Sequence, residues 1–169
     1  SADLDAESLA SSIDLSSYNL TALDLRELKD LFDHVTTFGS LIQVPDGLVA
    51  KLPALKQLSE ATSQDLFVSE ALKRLGPLVH QADLLAAQYD AVVANPPYMG
   101  GRAMNGLLKK FAKDQFLDSK NDLFACFIER GYTLAKAMGH NAMVTMQSWM
   151  FLSSFQKMRE RMLREKTIK

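Results

Sequence analysis

Asn95-Pro96-Pro97-Tyr98 is the segment of this chain whose residue types and spacing are best suited to chemistry. An exocyclic amine on an aromatic ring is a poor nucleophile, because its lone pair is delocalised into the ring. Two acceptors aimed at its hydrogens favour a more tetrahedral nitrogen and restore the lone pair. The Asn95 side-chain carbonyl and the Pro96 backbone carbonyl can supply them, since proline lacks an N–H but keeps its C=O. The two prolines restrict the loop, so its polar atoms have few alternative positions. Tyr98 can stack on a base drawn out of a duplex. The competing reading is a tight Pro-Pro turn with a packed tyrosine, and a tetrapeptide alone does not separate the two.

Such a loop needs a strand to carry it. Tyr89-Asp90-Ala91-Val92-Val93-Ala94 is a β-branched run that Asn95-Pro96-Pro97 halts, the pattern of a buried parallel strand entering a loop. In open α/β sheets, ligands sit at the carboxyl ends of strands. Gly100 and Gly101 make the next loop permissive. Leu107 to Phe111 reads as a short basic helix, and Asp118 to Asn121 as a turn. Phe124, Phe127, Ile128, Leu134 and Met138 predict an amphipathic helix from Asp122 to Met138, stopped by Gly139. Ala142 to Met146 reads as a second strand, so the order strand, helix, strand predicts a right-handed crossover. Ser153 with Gln156 has the form of a capping box opening a last helix, Phe155 to Arg164.

Upstream, residues 1 to about 20 are rich in Ser, Asp and Ala and read as a frayed or weakly helical lead-in. Leu25, Leu28, Leu31, Phe32 and Val35 predict a helix, with Asp24 as N-cap, Glu27 as its partner and Gly39 as its stop. Leu41, Ile42 and Val44 read as a short extended piece ended by Pro45-Asp46-Gly47. A further helix is expected from Asp65 to Leu75, broken by Gly76-Pro77 before a short helix from Leu78 to Ala87.

Composition narrows the classes. The chain has 169 residues, 47% hydrophobic and 23% charged, enough for one domain with a real core. A net charge of −1 does not advertise a nucleic-acid binder, although a local patch can suffice. Cys126 is the single cysteine, which excludes an internal disulfide and a multi-cysteine zinc site. His34, His80 and His140 are scattered and do not suggest a metal. No apolar run approaches the roughly 20 residues of a membrane helix, and the acidic start is unlike a signal peptide. A cytoplasmic setting without membrane contact is expected.

YDAVVANPPYMGGRAMN, followed by DLFACFIERGYTLAKAMGHNAMVTMQSWMFLSSFQKMRERML, resembles the N6-adenine-specific DNA methyltransferases. It is similar to the arrangement in which the cofactor half precedes the NPPY half. NPPYMGG and QSWMFLSSF are most like the PglX-type enzymes of phage-exclusion (BREX) systems and related restriction-modification methylase subunits. The resemblance covers residues 89–165 clearly, FGSLIQV fits the helical insert before this strand, and the first 60 or so residues match only faintly. It implies that Asn95 and Pro96 hold the target amine and that Tyr98 stacks on the flipped adenine. It implies that Pro97 lies against the methyl-donor end of S-adenosylmethionine. Methyl transfer would be a direct displacement in which positioning supplies most of the catalysis, with no metal.

The departures from the family are as informative. The eight glycines include no glycine-rich loop of the kind that holds S-adenosylmethionine, and the target-recognition domain is missing. The expectation is therefore a fragment, inactive alone, whose partners are DNA and the remainder of its own polypeptide. Arg102, Lys109, Lys110 and Lys113 could contact DNA phosphates or form a solvated face. The basic end (Lys157, Arg159, Arg161, Arg164, Lys166 and Lys169) reads as a solvated face. Asp122 and Phe124 begin the crossover helix where the family has a further motif, but Asp122 reads more as a helix N-terminal residue and Phe124 as core. Gln147-Ser148-Trp149 could contact substrate but reads more as a packed indole, and Cys126 as a small buried hydrophobe.

The fold class expected is α/β. A helical segment, residues 1–87, precedes a partial Rossmann-like parallel βαβ piece, residues 88–169. An unpaired sheet edge would favour self-association. The alternative in a different class is a non-catalytic DNA-binding or assembly module that kept the fold.

Overall fold

The computed structural model describes residues 5–166, and the chain divides into two units, residues 1–87 and 88–169. The described residues are mostly helical, with a two-stranded parallel sheet.

The first unit contains α1 (Ala6–Ser12), α2 (Ala22–Phe32), the short turns α3 (Val35–Phe38) and α4 (Asp46–Val49), α5 (Leu52–Ser59) and α6 (Leu66–Ala86). Leucines close its core: Leu9, Leu25, Leu28, Leu55, Leu58 and Leu75 have no exposed surface. Of the two readings of the lead-in, the helical one agrees with α1 and the 3-10 turn Leu15–Tyr18. Residues 5–20 are not frayed, because Leu9, Leu15 and Leu20 are buried; residues 1–4 lie outside the described residues. The capping box of α2 also differs from the expectation. Thr21 is the N-cap and Asp24 its partner, three residues earlier than Asp24 with Glu27. The helix stops at Phe32, and Gly39, at φ 52°, ends the separate turn α3. Leu41 lies in a single 3-10 turn and no strand forms at residues 41–44; Pro45 is the N-cap of α4.

Gly76-Pro77 does not break α6, which runs unbroken for 21 residues. An interior proline costs about 3 kcal/mol. Val68, Ala71, Leu72 and Leu75 before it, and Val79 and Ala82 after it, are buried on one stripe. Each large apolar side chain contributes ~1.5–3 kcal/mol on burial, so continuity of the stripe outweighs the proline. Pro77 itself is exposed.

The second unit contains β1 (Tyr89–Ala94), α7 (Gly106–Gln115), α8 (Leu123–Leu134), β2 (Ala135–Met143) and α9 (Gln156–Glu165). β1 and β2 are parallel, with Val92 opposite Asn141 and Ala94 opposite Met143. Two helices lie between the strands in sequence, α7 and α8. β1 is not buried as expected: Tyr89, Asp90, Ala91 and Val93 are exposed, and only Val92 and Ala94 are half-buried.

The expected helix to Met138 ends at Leu134, and β2 begins at Ala135 rather than Ala142. Met138, placed on the helical stripe by spacing, is 91% exposed on β2. Gly139 is a strand residue where the register slips between Tyr89 and Ala91. A Cβ there would lie 2.9 Å from the Tyr89 carbonyl oxygen and 3.1 Å from that of Asp90, so glycine allows the approach. Gly131 does the same for α8 against β2, where a Cβ would lie 2.5 Å from Asn141 Nδ2. The Ser153–Gln156 capping box does not form. Ser153–Phe155 is a 3-10 turn, and Gln156 instead donates to Glu160 of α9 at 2.9 Å.

Candidate active site

β1 delivers the tetrapeptide to the end of the sheet. Beyond the last strand pair, Val144 N–H donates to the Ala94 carbonyl at 3.1 Å, so the two chains leave the sheet side by side. All described peptide bonds are trans. Pro96 is buried and anchors the turn, whereas Asn95, Pro97 and Tyr98 are exposed. Among the described residues none hydrogen-bonds the Asn95 side chain, which leaves its carbonyl and amide available.

Tyr98 is held at two points. Its hydroxyl donates to the Val144 carbonyl at 3.3 Å. Its ring meets Phe124 edge to face, with centroids 6.1 Å apart and planes at 88°. With 51% of the residue still exposed, much of the ring is open to a stacking partner. Phe124 is fully buried and packs in turn on Phe155 at 6.1 Å, among Ile128, Met158 and Met162. The exposed tyrosine therefore rests on a fixed aromatic floor.

The loop after Tyr98 is fastened to the start of α8. Asp122 Oδ1 accepts from Met99 N–H at 3.1 Å and from Phe124 N–H at 3.4 Å. Leu123 N–H donates to the Met99 carbonyl at 3.0 Å, and Gly101 N–H to the Asn121 carbonyl at 2.9 Å. Gly100 and Asp122 form an antiparallel bridge. Gly100 and Gly101 have no positive φ, and a Cβ there would make only ordinary contacts, 3.5 Å from Asp122 Oδ2 and 3.6 Å from the Asn121 carbonyl oxygen, so this loop does not use the permissiveness expected of them. Beneath it, Ser119 donates to Glu129 at 2.6 Å, and Arg161 pairs with Glu129 at 2.7 Å and Asp118 at 3.5 Å. Cys126 is fully buried with its thiol toward the Ser119 carbonyl, and burial pushes that thiol up to about 12.

Residues 10–169 match the Eco57I restriction-modification methylase family. This chain belongs to that family. It is 54% identical over 139 residues to the adenine-specific methyltransferase BrxX of Escherichia coli O9:H4 (strain HS), covering 81% of this chain and 12% of the relative. It is 37% identical over 134 residues to the adenine-specific methyltransferase PglX of Lacticaseibacillus casei (strain Zhang), covering 79% of this chain and 11% of the relative. The chain thus spans about one-eighth of the length of these relatives.

The methylase-family chain places its four candidate cations unequally. Arg102, Lys109, Lys110 and Lys113 are all exposed on α7 or just before it. Lys110 pairs with Asp114 at 2.7 Å, whereas no ion pair engages Arg102, Lys109 or Lys113 among the described residues. Lys109 and Lys113 are four residues apart, hence on one helical face. In the basic C-terminal stretch Lys157, Arg164 and Lys166 are exposed, as a solvated face requires, whereas Arg159 and Arg161 are half-buried and engaged within the protein. Arg159 donates to the Trp149 and Leu152 carbonyls, both at 2.7 Å, and Lys166 sits 5.2 Å from the Tyr132 ring centroid. Lys169 lies outside the described residues. The Trp149 indole donates to Thr145 at 3.2 Å, as a packed tryptophan should. Sequence reasoning set Asp122 and Phe124 at a helix start where the family has a further motif but favoured a helix-terminal role for Asp122, and it missed Val144, whose contribution is a backbone carbonyl without a side-chain signature.

Among the described residues, no helix is long and apolar enough to cross a membrane, and no three His, Cys, Asp or Glu side chains gather as a metal site.

Proposed function

We propose that this chain carries the amine-binding part of a DNA methyltransferase that moves a methyl group from S-adenosylmethionine to adenine N6. The observation that carries the reading is an NPPY loop at the end of a parallel strand, with Tyr98 fixed by Val144 and Phe124 yet open on its ring. Two relatives named as adenine-specific methyltransferases support it. On this reading β1 and β2 are neighbouring strands of a Rossmann-like sheet. Residues 1–87 are a helical insert, and residues 88–169 belong to the catalytic half.

Asn95 and the Pro96 carbonyl accept the two amine hydrogens, and Tyr98 stacks on the adenine drawn out of the duplex. Catalysis is mostly positioning of the amine. Arg102, Lys109, Lys110 and Lys113 are the phosphate contacts. The residues present fit the amine side of the reaction. They do not form a cradle for the cofactor: Gly100 and Gly101, the adjacent glycines, follow the tetrapeptide and are tied to residues 121–122. Pro97 is the contact proposed toward the methyl donor, and the rest of cofactor binding falls to another part of the polypeptide. The setting proposed is cytoplasmic restriction-modification or phage defence. The exposed sheet edge favours self-association of the isolated chain.

Transfer of labelled methyl groups to unmethylated DNA, followed by nucleoside analysis, tests the reading. The full-length protein is expected to yield N6-methyladenine, Asn95→Ala to abolish it, and the 169-residue chain alone to yield none. Label on another base overturns the substrate assignment. A full-length protein that binds DNA but transfers nothing favours the non-catalytic module.

A further inference from the structure

A single oxygen, Asp122 Oδ1, receives amides from two segments: Met99, directly after Tyr98, and Phe124, in the first turn of α8. The Met99 carbonyl is also taken, by Leu123 N–H. Both polar groups of the Met99 backbone are therefore fixed by residues 122–123. Phe124, two residues further on, meets the Tyr98 ring. One helical turn thus sets Tyr98 from two sides, its backbone through Asp122 and its ring through Phe124. An acceptor carboxylate makes stronger bonds to N–H groups than a neutral oxygen, so this fastening is stiffer than an ordinary loop contact.

We propose that Asp122 is a positioning residue for methyl transfer, holding Tyr98 at its stacking height through the Met99 amide. The inference rests on the function proposed above. It differs from a plain capping role, because a cap serves α8 and leaves the loop free.

Two substitutions separate these roles. Asp122→Asn keeps an oxygen at the same reach. Asp122→Ser remains a good N-cap but is shorter and withdraws from Met99. Amide exchange at Met99, read by NMR in this chain, is expected to be at least about tenfold faster in Asp122→Ser, with the thermal midpoint held, since opening tracks the lost bond. In the full-length protein, kcat for adenine methylation is expected to fall at least about tenfold in Asp122→Ser with KM for S-adenosylmethionine little changed, the signature of lost orientation. Asp122→Asn, which keeps a neutral and weaker acceptor at the same place, is expected to recover most of both. Wild-type exchange and kcat in Asp122→Ser would overturn the inference, as would faster exchange with unchanged kcat. A wild-type protein that transfers no methyl group overturns the functional reading instead, and the exchange measurement still tests the clasp.

Discussion

The hydroxyl of Tyr98 donates to the carbonyl of Val144 across 46 residues of chain. That bond joins the loop leaving β1 to the segment leaving β2, so the strand pairing fixes the tyrosine. The bond is exposed, and bonds of this kind contribute about 0.5–1.5 kcal/mol. Tyr98→Phe is therefore expected to cost little stability and to retain most methyl transfer in the full-length protein. Tyr98→Ala removes the stacking face, and base stacking worth ~1–3 kcal/mol corresponds to a loss of roughly 5- to 150-fold. Steady-state kinetics on the two variants checks the ordering.

The cations of α7 should not be equivalent on DNA. Lys109→Ala and Lys113→Ala are each expected to lower the salt slope of duplex binding by about one unit, as loss of one phosphate contact does. Lys110, engaged by Asp114, is expected to change it less. Anisotropy titrations of the full-length protein across salt concentration measure the slopes.

Gly139→Ala is expected to destabilise residues 88–169 by about 1–3 kcal/mol, the usual cost of overpacking. Its Cβ would meet backbone atoms of Tyr89, Asp90 and Lys136 at 2.9–3.1 Å, and backbone cannot step aside without breaking the strand pair. Gly131→Ala should cost less, because the atoms it meets are the ends of the Asn141 and Met143 side chains. Urea denaturation of the two variants compares them directly.

Pro77→Ala is expected to stabilise residues 1–87 by about 2–2.6 kcal/mol. That is the interior-proline cost of ~3 kcal/mol less the ~0.4–1 kcal/mol of entropy that proline removes from the unfolded chain. Thermal unfolding of the whole chain, followed by helical circular dichroism, reads the shift.

Cys126 predicts a pH dependence. Burial raises its thiol from 9.0 to about 12, so the unfolded chain releases a proton above pH 9 that the folded chain keeps. Folding stability then falls with rising pH, by about 1.4 kcal/mol per unit for one full proton. Buried Arg130 acts oppositely. Its guanidinium is brought down to about 10, which closes the clean window near pH 10. Stability measured from pH 8 to 10 in wild type and Cys126→Ala should show the extra slope in wild type alone.

The tetrapeptide, β1 and the last helix were legible because each is a local signal: a β-branched run, a Pro-Pro stop, an amphipathic spacing. The boundary between α8 and β2 was not. Leu134 and Met138 continue the helical spacing of Phe124 and Ile128, and nothing local prefers strand at Ala135-Lys136-Ala137. Pairing with β1 decides it, with Gly139 permitting the close approach. Gly76-Pro77 misled for the converse reason. Its local penalty is real, but a buried stripe on both sides of it outweighs the penalty.

The sequence by itself determined the chemistry on offer. Asn95, Pro96 and Tyr98 fall within four consecutive residues, and the prolines limit their conformations before any tertiary contact forms. Tertiary structure alone decided how Tyr98 is held. Its partners Val144 and Phe124 lie 46 and 26 positions away, Asp122 clasps the loop through the neighbouring Met99, and two of these contacts are made to backbone groups that every residue type shares. A backbone carbonyl or amide leaves no mark in the sequence, so only the folding of β2 and α8 against β1 could show which ones serve the loop.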